Sequence, residues 1–159
     1  HEWLEFTLHG ERELALNEPV VHLSFYEADT FARWAGARLP TEMEWEHAVN
    51  GKQPAQPQNA TTDLSSRVLH PSPFDGKDTT SIEQIFTDVW QWTASAYLPY
   101  PGYVTPPGAI GEYNGKFMSN QMVLKGACCA TPESHSRASY RNFFYPHCRW
   151  QFAGLRLAK

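Results

Sequence analysis

Several features that mark the simplest functional classes are missing from this sequence. It has no run of lysine or arginine and its net charge is −4, so a nucleic-acid-binding function is not indicated. No apolar stretch approaches the roughly 20 residues that a membrane-spanning helix requires. Only three cysteines occur, and Cys128 and Cys129 are adjacent, which argues against a disulfide framework and predicts a reducing, cytoplasmic setting.

Aromatic residues, proline and glycine are plentiful instead. The 159 residues include six Trp, seven Tyr, nine Phe, twelve Pro and ten Gly. Aromatic rings contribute large buried areas, while proline and glycine favour turns. The composition therefore predicts one loop-rich domain over residues 1–159, held together by aromatic packing rather than by long helices.

Two short helices are predicted from their start signals. Ser24 and Glu27 form a capping-box pattern, apolar residues then recur at helical spacing, and Gly36 is typical of a helix end. Thr41 and Glu44 repeat the capping-box pattern at the start of the segment EMEWEHAV. We expect a helix after each box.

The remaining regular structure is predicted to consist of short, mostly antiparallel strands, which gives an α+β fold. The candidate segments are residues 1–20 with a turn at His9-Gly10, VVHLS, residues 81–93, MVLKGA, SRASYRN and FAGLRLA. Residues 51–80 and the segment YLPYPGYVTPPGAIGEYNG are predicted to be long loops, because proline, glycine and polar residues dominate them.

The residues alone indicate chemistry only weakly. Seven histidines occur without the spacing of a transition-metal site. In RNFFYPHCRW, the Asn142 amide beside the Phe143 and Phe144 rings suits a quaternary ammonium ligand, because a ring face attracts a cation that donates no hydrogen bonds. The alternative, that both rings belong to the core, is the commoner outcome for phenylalanine.

Three blocks of the sequence resemble, in the same order, the signature blocks of the formylglycine-generating-enzyme superfamily. They are PVVHLSFYEADTFARWAGARLPTEMEWEHAV, DVWQWTASAYLPYPGY and LKGACCATPESHSRASYRNFFYPHCRWQFAGLRLA. The resemblance extends from about Pro19 to Ala158. It implies a C-type-lectin-like, formylglycine-generating-enzyme-like fold of the α+β class, which is expected to be incomplete here.

Within this superfamily, the last forty residues resemble the ergothioneine-pathway sulfoxide synthases (EgtB-like). The copper-dependent, aldehyde-forming members carry two separated cysteines where this sequence has GACCATPESHSR. The resemblance therefore implies a non-haem iron enzyme that uses O₂ to join cysteine or γ-glutamylcysteine to Nα-trimethylhistidine. A non-catalytic lectin-like binding module and a formylglycine-generating oxidase are the alternative functions.

The resemblance also implies that part of the enzyme lies outside this sequence. In the family, a helical N-terminal domain supplies the Fe(II)-binding histidines, and the C-terminal domain supplies much of the substrate pocket. This chain is accordingly expected to be a C-terminal fragment without iron ligands. Because such a fragment exposes apolar edges, we expect it to self-associate.

The site residues follow from the positions that match the family. Asn142 matches an amide that helps to hold trimethylhistidine, and Phe143 matches an aromatic residue that faces its trimethylammonium group. Phe144 matches a position that is acidic in members using γ-glutamylcysteine, so its apolar ring favours free cysteine. Ile110 occupies the place of a catalytic tyrosine, which leaves the nearby Tyr113 or the missing domain as the source of a proton.

The remaining polar and aromatic residues of interest have structural interpretations. Asp88 and Asn114 are candidate calcium ligands, because superfamily members often bind calcium through hard oxygen ligands. Trp90 and Trp92 alternate along a predicted strand and are expected in the core. Three arginines are expected to anchor the closing strands through carboxylates and backbone oxygens, namely Arg137, Arg141 and Arg156.

Overall fold

Residues 2–49, 69–74, 76 and 82–159 are described by the computed structural model of the protein. Its elements, in chain order, are β1 (Leu4–Thr7), β2 (Gly10–Glu13), α1 (Phe25–Trp34), α2 (Glu42–Ala48), β3 (Trp90–Ala96), α3 (Ala109–Phe117), β4 (Met122–Gly126), β5 (Asn142–Phe144) and β6 (Ala153–Leu155). A short 3₁₀ helix, Glu133–His135, lies between β4 and β5. Most of the loop predicted over residues 51–80 lies outside the described residues.

The first two strands form a separate antiparallel hairpin. Leu4 is opposite Glu13, and Thr7 is opposite Gly10 at the turn. Gly10 has a φ of 102°, a conformation that glycine adopts without the steric cost of a side chain. The turn predicted at His9-Gly10 is therefore confirmed, and the predicted extended start is confirmed for residues 4–13, whereas residues 16–18 form a turn.

The strand predicted for VVHLS is wrong, because this segment is irregular and bends at His22, whose φ is 58°. Single hydrogen bonds replace a strand ladder here. The Leu23 N–H donates to the Ala153 carbonyl at 3.2 Å, and the Leu23 carbonyl accepts from Trp92 Nε1 at 2.8 Å. The segment is thus held against the sheet without becoming one of its strands.

Both predicted helices begin with the predicted capping boxes. The Ser24 hydroxyl accepts from the Glu27 N–H, and the Glu27 carboxylate accepts from the Ser24 N–H. Thr41 and Glu44 make the same reciprocal pair at the start of α2. After α1, Gly36 has the expected left-handed conformation, with a φ of 66°.

The main sheet has four strands in the order β5-β4-β3-β6. All neighbouring pairs are antiparallel except β3 and β6, which are parallel. Successive side chains of β3 point to opposite faces of the sheet. Trp92 contacts the ring of Phe25 from α1, whereas the adjacent Gln91 accepts a hydrogen bond from Trp45 of α2. The two helices therefore cover opposite faces of β3.

The second predicted loop contains a helix, α3, which sequence reasoning missed. Gly111 and Gly115 lie inside α3, and its start at Gly108 has no side-chain cap. Because glycine is a poor helix former, the sequence carries no clear helical signal here. The closing strand predicted for SRASYRN is also misplaced, since β5 comprises only Asn142–Phe144 and the preceding residues form turns.

The hydrophobic core lies between the sheet and the first two helices. Its buried residues are Ala28, Ala32, Leu39, Trp45, Val49, Ile85, Phe86, Trp90, Trp92, Leu124, Ala127, Cys128 and Ala153. Trp92 is fully buried and Trp90 is nearly so, which confirms their predicted place in the core. Strands β4 and β6 and the bridge between Arg38 and Ala158 confirm the predicted segments MVLKGA and FAGLRLA.

Replacing Glu44 with glutamine should remove a pH-dependent contribution to stability. A hydrogen bond from Arg38, followed by one from the Thr41 N–H, lowers the pKa of Glu44 from 4.5 to about 2. A carboxylate whose pKa is lower in the folded state stabilises the fold above its unfolded pKa, and this stabilisation is lost as the pH falls through the folded pKa. The urea midpoint of the wild type should therefore fall more steeply below pH 4.5 than that of E44Q.

The measurement is urea unfolding of both proteins at pH 7, 4 and 3. Asp29→Asn is the matched control, because Asp29 also makes a helical ion pair, with Arg33 at 2.7 Å, outside any capping box. Identical pH slopes for the wild type and E44Q would contradict the prediction.

Candidate functional site

Strand β5 carries the three residues predicted to bind substrate, and it is the outer strand of the sheet. Asn142, Phe143 and Phe144 pair with Leu124, Val123 and Met122 of β4, respectively. All three β5 side chains are half-buried. No strand pairs with the other side of β5 among the described residues. A ligand that approached β5 along this edge would meet no described strand.

The Phe143 ring is stacked on the ring of Tyr97. Their centroids are 4.1 Å apart and their planes differ by only 11°. The Arg141 guanidinium lies 4.6 Å from the centre of the Tyr97 ring and 4.3 Å from that of Tyr100. One face of Phe143 is therefore covered by a ring and cannot receive a ligand.

Asn142 and Phe144 have different surroundings. The Asn142 side-chain oxygen accepts a hydrogen bond from the Phe143 N–H at 2.9 Å, which fixes the orientation of the amide. The Phe144 ring meets the edge of Trp150, with centroids 4.9 Å apart and planes at 78°. Because Trp150 is largely exposed, this pair forms an aromatic corner at the surface, which the sequence pattern did not indicate.

The expectation that Asn142 and Phe143 line one wall is corrected by the strand geometry. Neighbouring residues of a strand point to opposite faces. Arg141 and Phe143 accordingly share the face that contacts Tyr97, whereas Asn142 and Phe144 lie on the other face. A single ligand can reach both faces only at the outer edge of β5. The substrate-binding roles of the three residues remain predictions.

Two of the three arginines anchor the ends of the sheet as expected. Arg141 donates two hydrogen bonds to the Glu42 carboxylate, at 2.7 and 2.9 Å, and one to the Leu98 carbonyl. Arg156 donates to Gln91 Oε1 at 2.9 Å and to the carbonyl of Glu83.

Arg137 differs from the other two arginines. Its guanidinium lies 4.9 Å from the centre of the Tyr140 ring, and this is a cation–π contact rather than an ion pair.

The candidate calcium and proton-donor residues are only partly described. Asp88 is buried, and its carboxylate oxygens accept hydrogen bonds from the Ser72 N–H and the Thr87 hydroxyl. Ile110 lies in α3 and is exposed. The side chains of Tyr113 and Asn114 lie outside the described residues, so the calcium site and the proton donor remain predictions.

Within the described residues, one group of side chains has the composition of a metal site. Ligand atoms of Glu5, Glu18 and His70 lie within 4.8 Å of one another. The Arg12 guanidinium contacts all three, including Glu5 at 2.7 Å and His70 at 2.6 Å. A cation already satisfies these carboxylates, so the group does not fit an iron centre. It is an ion-pair network that ties the hairpin to the following segments.

The cysteine pair has the environment of structural thiols. Cys128 is buried, and its sulfur lies 3.3 Å from the Thr131 hydroxyl oxygen. Burial, with smaller contributions from Cys128 and Asp88, raises the pKa of Cys129 from 9.0 to about 12. Because the thiolate is the reactive and metal-binding form, Cys129 is poorly suited to copper-dependent aldehyde formation.

Cys129 should therefore react slowly with iodoacetamide in the folded protein. At pH 8 a thiol with a pKa of about 12 has about a thousandfold less thiolate than one with a pKa of 9. Mass spectrometry of timed samples should show Cys129 labelled far more slowly in buffer than in urea. Cys148, which is half-buried, serves as the internal reference. Rapid labelling of Cys129 in the native state would rule out the buried, protonated thiol.

Cavities in the described residues lie elsewhere. One of about 300 Å³ is lined mainly by residues 16–19 and by Val89, Leu155 and Arg156. Another of about 290 Å³ lies against residues 14–21 and Glu5. Neither is lined by residues 142–144.

This fold and the order of its elements define a sulfatase-modifying-factor type of domain. The family of sulfatase-modifying factor enzyme 1-like domains matches residues 7–159, and the chain belongs to this family. The structure of PvdO from Pseudomonas aeruginosa has a TM-score of 0.54 and 20% identity, and the match covers 92% of this chain and 63% of that one. The predicted formylglycine-generating-enzyme-like, α+β fold is thus confirmed.

Within the family, the sequence is similar to ergothioneine-pathway proteins, as its last forty residues predicted. Hercynine oxygenase from Mycobacterium tuberculosis is 37% identical over 163 residues, which cover 92% of this chain and 38% of that protein. Ergothioneine biosynthesis protein 1 from Schizosaccharomyces pombe is 26% identical over 143 residues, covering 87% and 18% of the two chains. This chain thus spans less than half the length of these relatives.

In the described part of the chain, no helix has the length and apolar character needed to cross a membrane.

Proposed function

We propose that this chain is the substrate-binding portion of an oxygen-dependent sulfoxide synthase in ergothioneine biosynthesis. The enzyme would join cysteine or γ-glutamylcysteine to hercynine, which is Nα-trimethylhistidine. The observation that supports this function most strongly is the 37% identity to a hercynine oxygenase across 92% of the chain. Such an enzyme is an oxidoreductase, and hercynine and a thiol are its small-molecule partners.

The role of this chain within the reaction is to bind and orient substrate. The three convergent metal-ligating side chains in the described residues are already paired with Arg12, so iron would be held by ligands from elsewhere in the enzyme. Iron bound there would activate O₂. The residues of β5 would hold hercynine at the outer edge of the sheet.

The trimethylammonium group of hercynine suits the face of Phe143 that points away from Tyr97. This group carries a positive charge but has no N–H, so it gains from a ring face rather than from a hydrogen-bond acceptor. The Asn142 amide, whose oxygen is held by the Phe143 N–H, would contact the ligand from the other side of the strand. Phe144 offers no charge and packs against Trp150, which favours free cysteine over γ-glutamylcysteine.

Replacing Phe143 with alanine should weaken hercynine binding about tenfold, because a cation–π contact is worth about 1–2 kcal/mol when partly desolvated. Isothermal titration of the protein with hercynine measures this effect, and histidine, which lacks the methyl groups, should bind more weakly to the wild type. Tyr145→Ala is the matched control, since Tyr145 follows β5 directly and stacks on His147 instead. Equal affinity of the wild type and F143A for hercynine would refute the proposed site.

The identity of the thiol can be tested in the same experiment. Cysteine and γ-glutamylcysteine are titrated into the protein already saturated with hercynine. Tighter binding of γ-glutamylcysteine would contradict the role given to Phe144.

A further inference from the structure

A buried ion pair connects β5 to the first turn of α2. Arg141 Nε and Nη2 donate to the two carboxylate oxygens of Glu42, at 2.7 and 2.9 Å. The side chains are only 12% and 4% exposed, respectively. A third hydrogen bond, from Nη2 to the Leu98 carbonyl at 3.0 Å, fixes the plane of the guanidinium. Arg141 directly precedes β5, so its position is fixed from two elements at once.

The fixed guanidinium lies against two tyrosine rings. Tyr97 and Tyr100 have their ring centres 4.6 and 4.3 Å from its central carbon. A lysine could replace the charge of Arg141, but it could not supply the planar group that stacks on a ring and binds a carboxylate with two parallel hydrogen bonds. Arginine is therefore the residue that fits this combination of a paired carboxylate and a stacked ring.

Tyr97 connects the fixed guanidinium of Arg141 to the Phe143 ring. The two rings are nearly parallel and 4.1 Å apart, so a change in the plane of one ring disturbs its contact with the other. We propose that Arg141 and Glu42 are positioning residues, which hold the Phe143 ring, through Tyr97, in the orientation that receives a quaternary ammonium group. This inference depends on the proposed function for the identity of the ligand, but not for the order of the ring.

Charge neutralisation is compatible with this assignment. A lone guanidinium close to a binding site for a cation would repel the ligand. Glu42 compensates the charge of Arg141 through both of its carboxylate oxygens. The stacked rings of Tyr97 and Phe143 therefore have no unbalanced positive charge next to them. Any buried guanidinium requires such a partner, so the pairing permits a cationic ligand at the rings without being specific to one. A buried ion pair is in any case a weak source of stability compared with apolar packing.

The test compares Arg141→Lys with Arg38→Lys in the 159-residue protein. Arg38 makes a similar pair of hydrogen bonds to Glu44, also in the first turn of α2, but at an exposed site. Hercynine affinity should fall about tenfold in R141K and stay within twofold in R38K. Glu42→Gln, which preserves the shape of the side chain, is the second variant and should weaken binding about threefold.

A double-mutant cycle with Phe143→Leu tests whether the loss of hercynine affinity in R141K depends on the Phe143 ring. If Arg141 acts through Phe143, the double variant should bind hercynine no more weakly than F143L alone. Additive losses, or unchanged affinity in R141K while F143L binds weakly, would overturn the positioning role and leave the proposed function standing.

A spectroscopic measurement keeps the two ideas separable if wild-type protein does not bind hercynine. In protein labelled with ¹³C at the phenylalanine rings, the Phe143 signals, assigned with F143L, report how ordered the ring is. The R141K substitution should make the signals from the two sides of the Phe143 ring average into one. The R38K substitution should leave them unchanged. An unchanged Phe143 signal in R141K would overturn the inference. Absence of hercynine binding to the wild type would count against the proposed function alone.

Discussion

The arrangement of the main sheet depends on one buried polar side chain, Gln91. Its oxygen accepts hydrogen bonds from Trp45 of α2 at 2.6 Å and from Arg156 after β6 at 2.9 Å. Its nitrogen donates to the carbonyls of Ile85 and Val89, at 3.0 and 3.3 Å. A buried amide is tolerated only when it is hydrogen-bonded. Satisfying this one amide therefore fixes a helix, a neighbouring strand and the chain leading into β3 relative to one another.

The candidate site is positioned by this arrangement. β3 pairs with β4, and β4 pairs with β5, so the register of β5 follows from that of the central strands. Independently, Glu42 binds Arg141 from the same helix that Gln91 anchors through Trp45. Two separate connections, one through the sheet and one through α2, thus meet at the start of β5. An outer strand of three residues would otherwise be poorly fixed.

Local signals in the sequence predicted the elements that depend on local interactions. Ser24 with Glu27 and Thr41 with Glu44 bond within one turn, and both helices begin where these pairs indicate. The predictions failed where another part of the chain decides the structure. VVHLS is as apolar as a strand, but its backbone is held by contacts from residues far along the chain, such as Ala153.

The candidate site was predicted in part for the same reason. Asn142, Phe143 and Phe144 are consecutive, so a resemblance in one short segment was enough to propose them as site residues. The pair of Glu42 and Arg141 is separated by 99 positions, and no spacing rule indicates it. Sequence spacing also treated Asn142 and Phe143 as one wall, because their separation onto two faces is apparent only once β5 is known to be a strand.

The electrostatics of the β5 face are compatible with the proposed cationic ligand, although two basic residues lie near it. Besides Arg141, the fully buried Lys125 lies under α2, where it contacts Glu46 at 3.1 Å and lies 5.6 Å from the centre of the Trp45 ring. Burial lowers the pKa of Lys125, while Glu46 opposes this effect. Each of these two cations is matched by a carboxylate from α2. The helix thus contributes the negative charge that neutralises these two cations, which leaves the rings of β5 and its neighbours as the groups that would attract the proposed ligand.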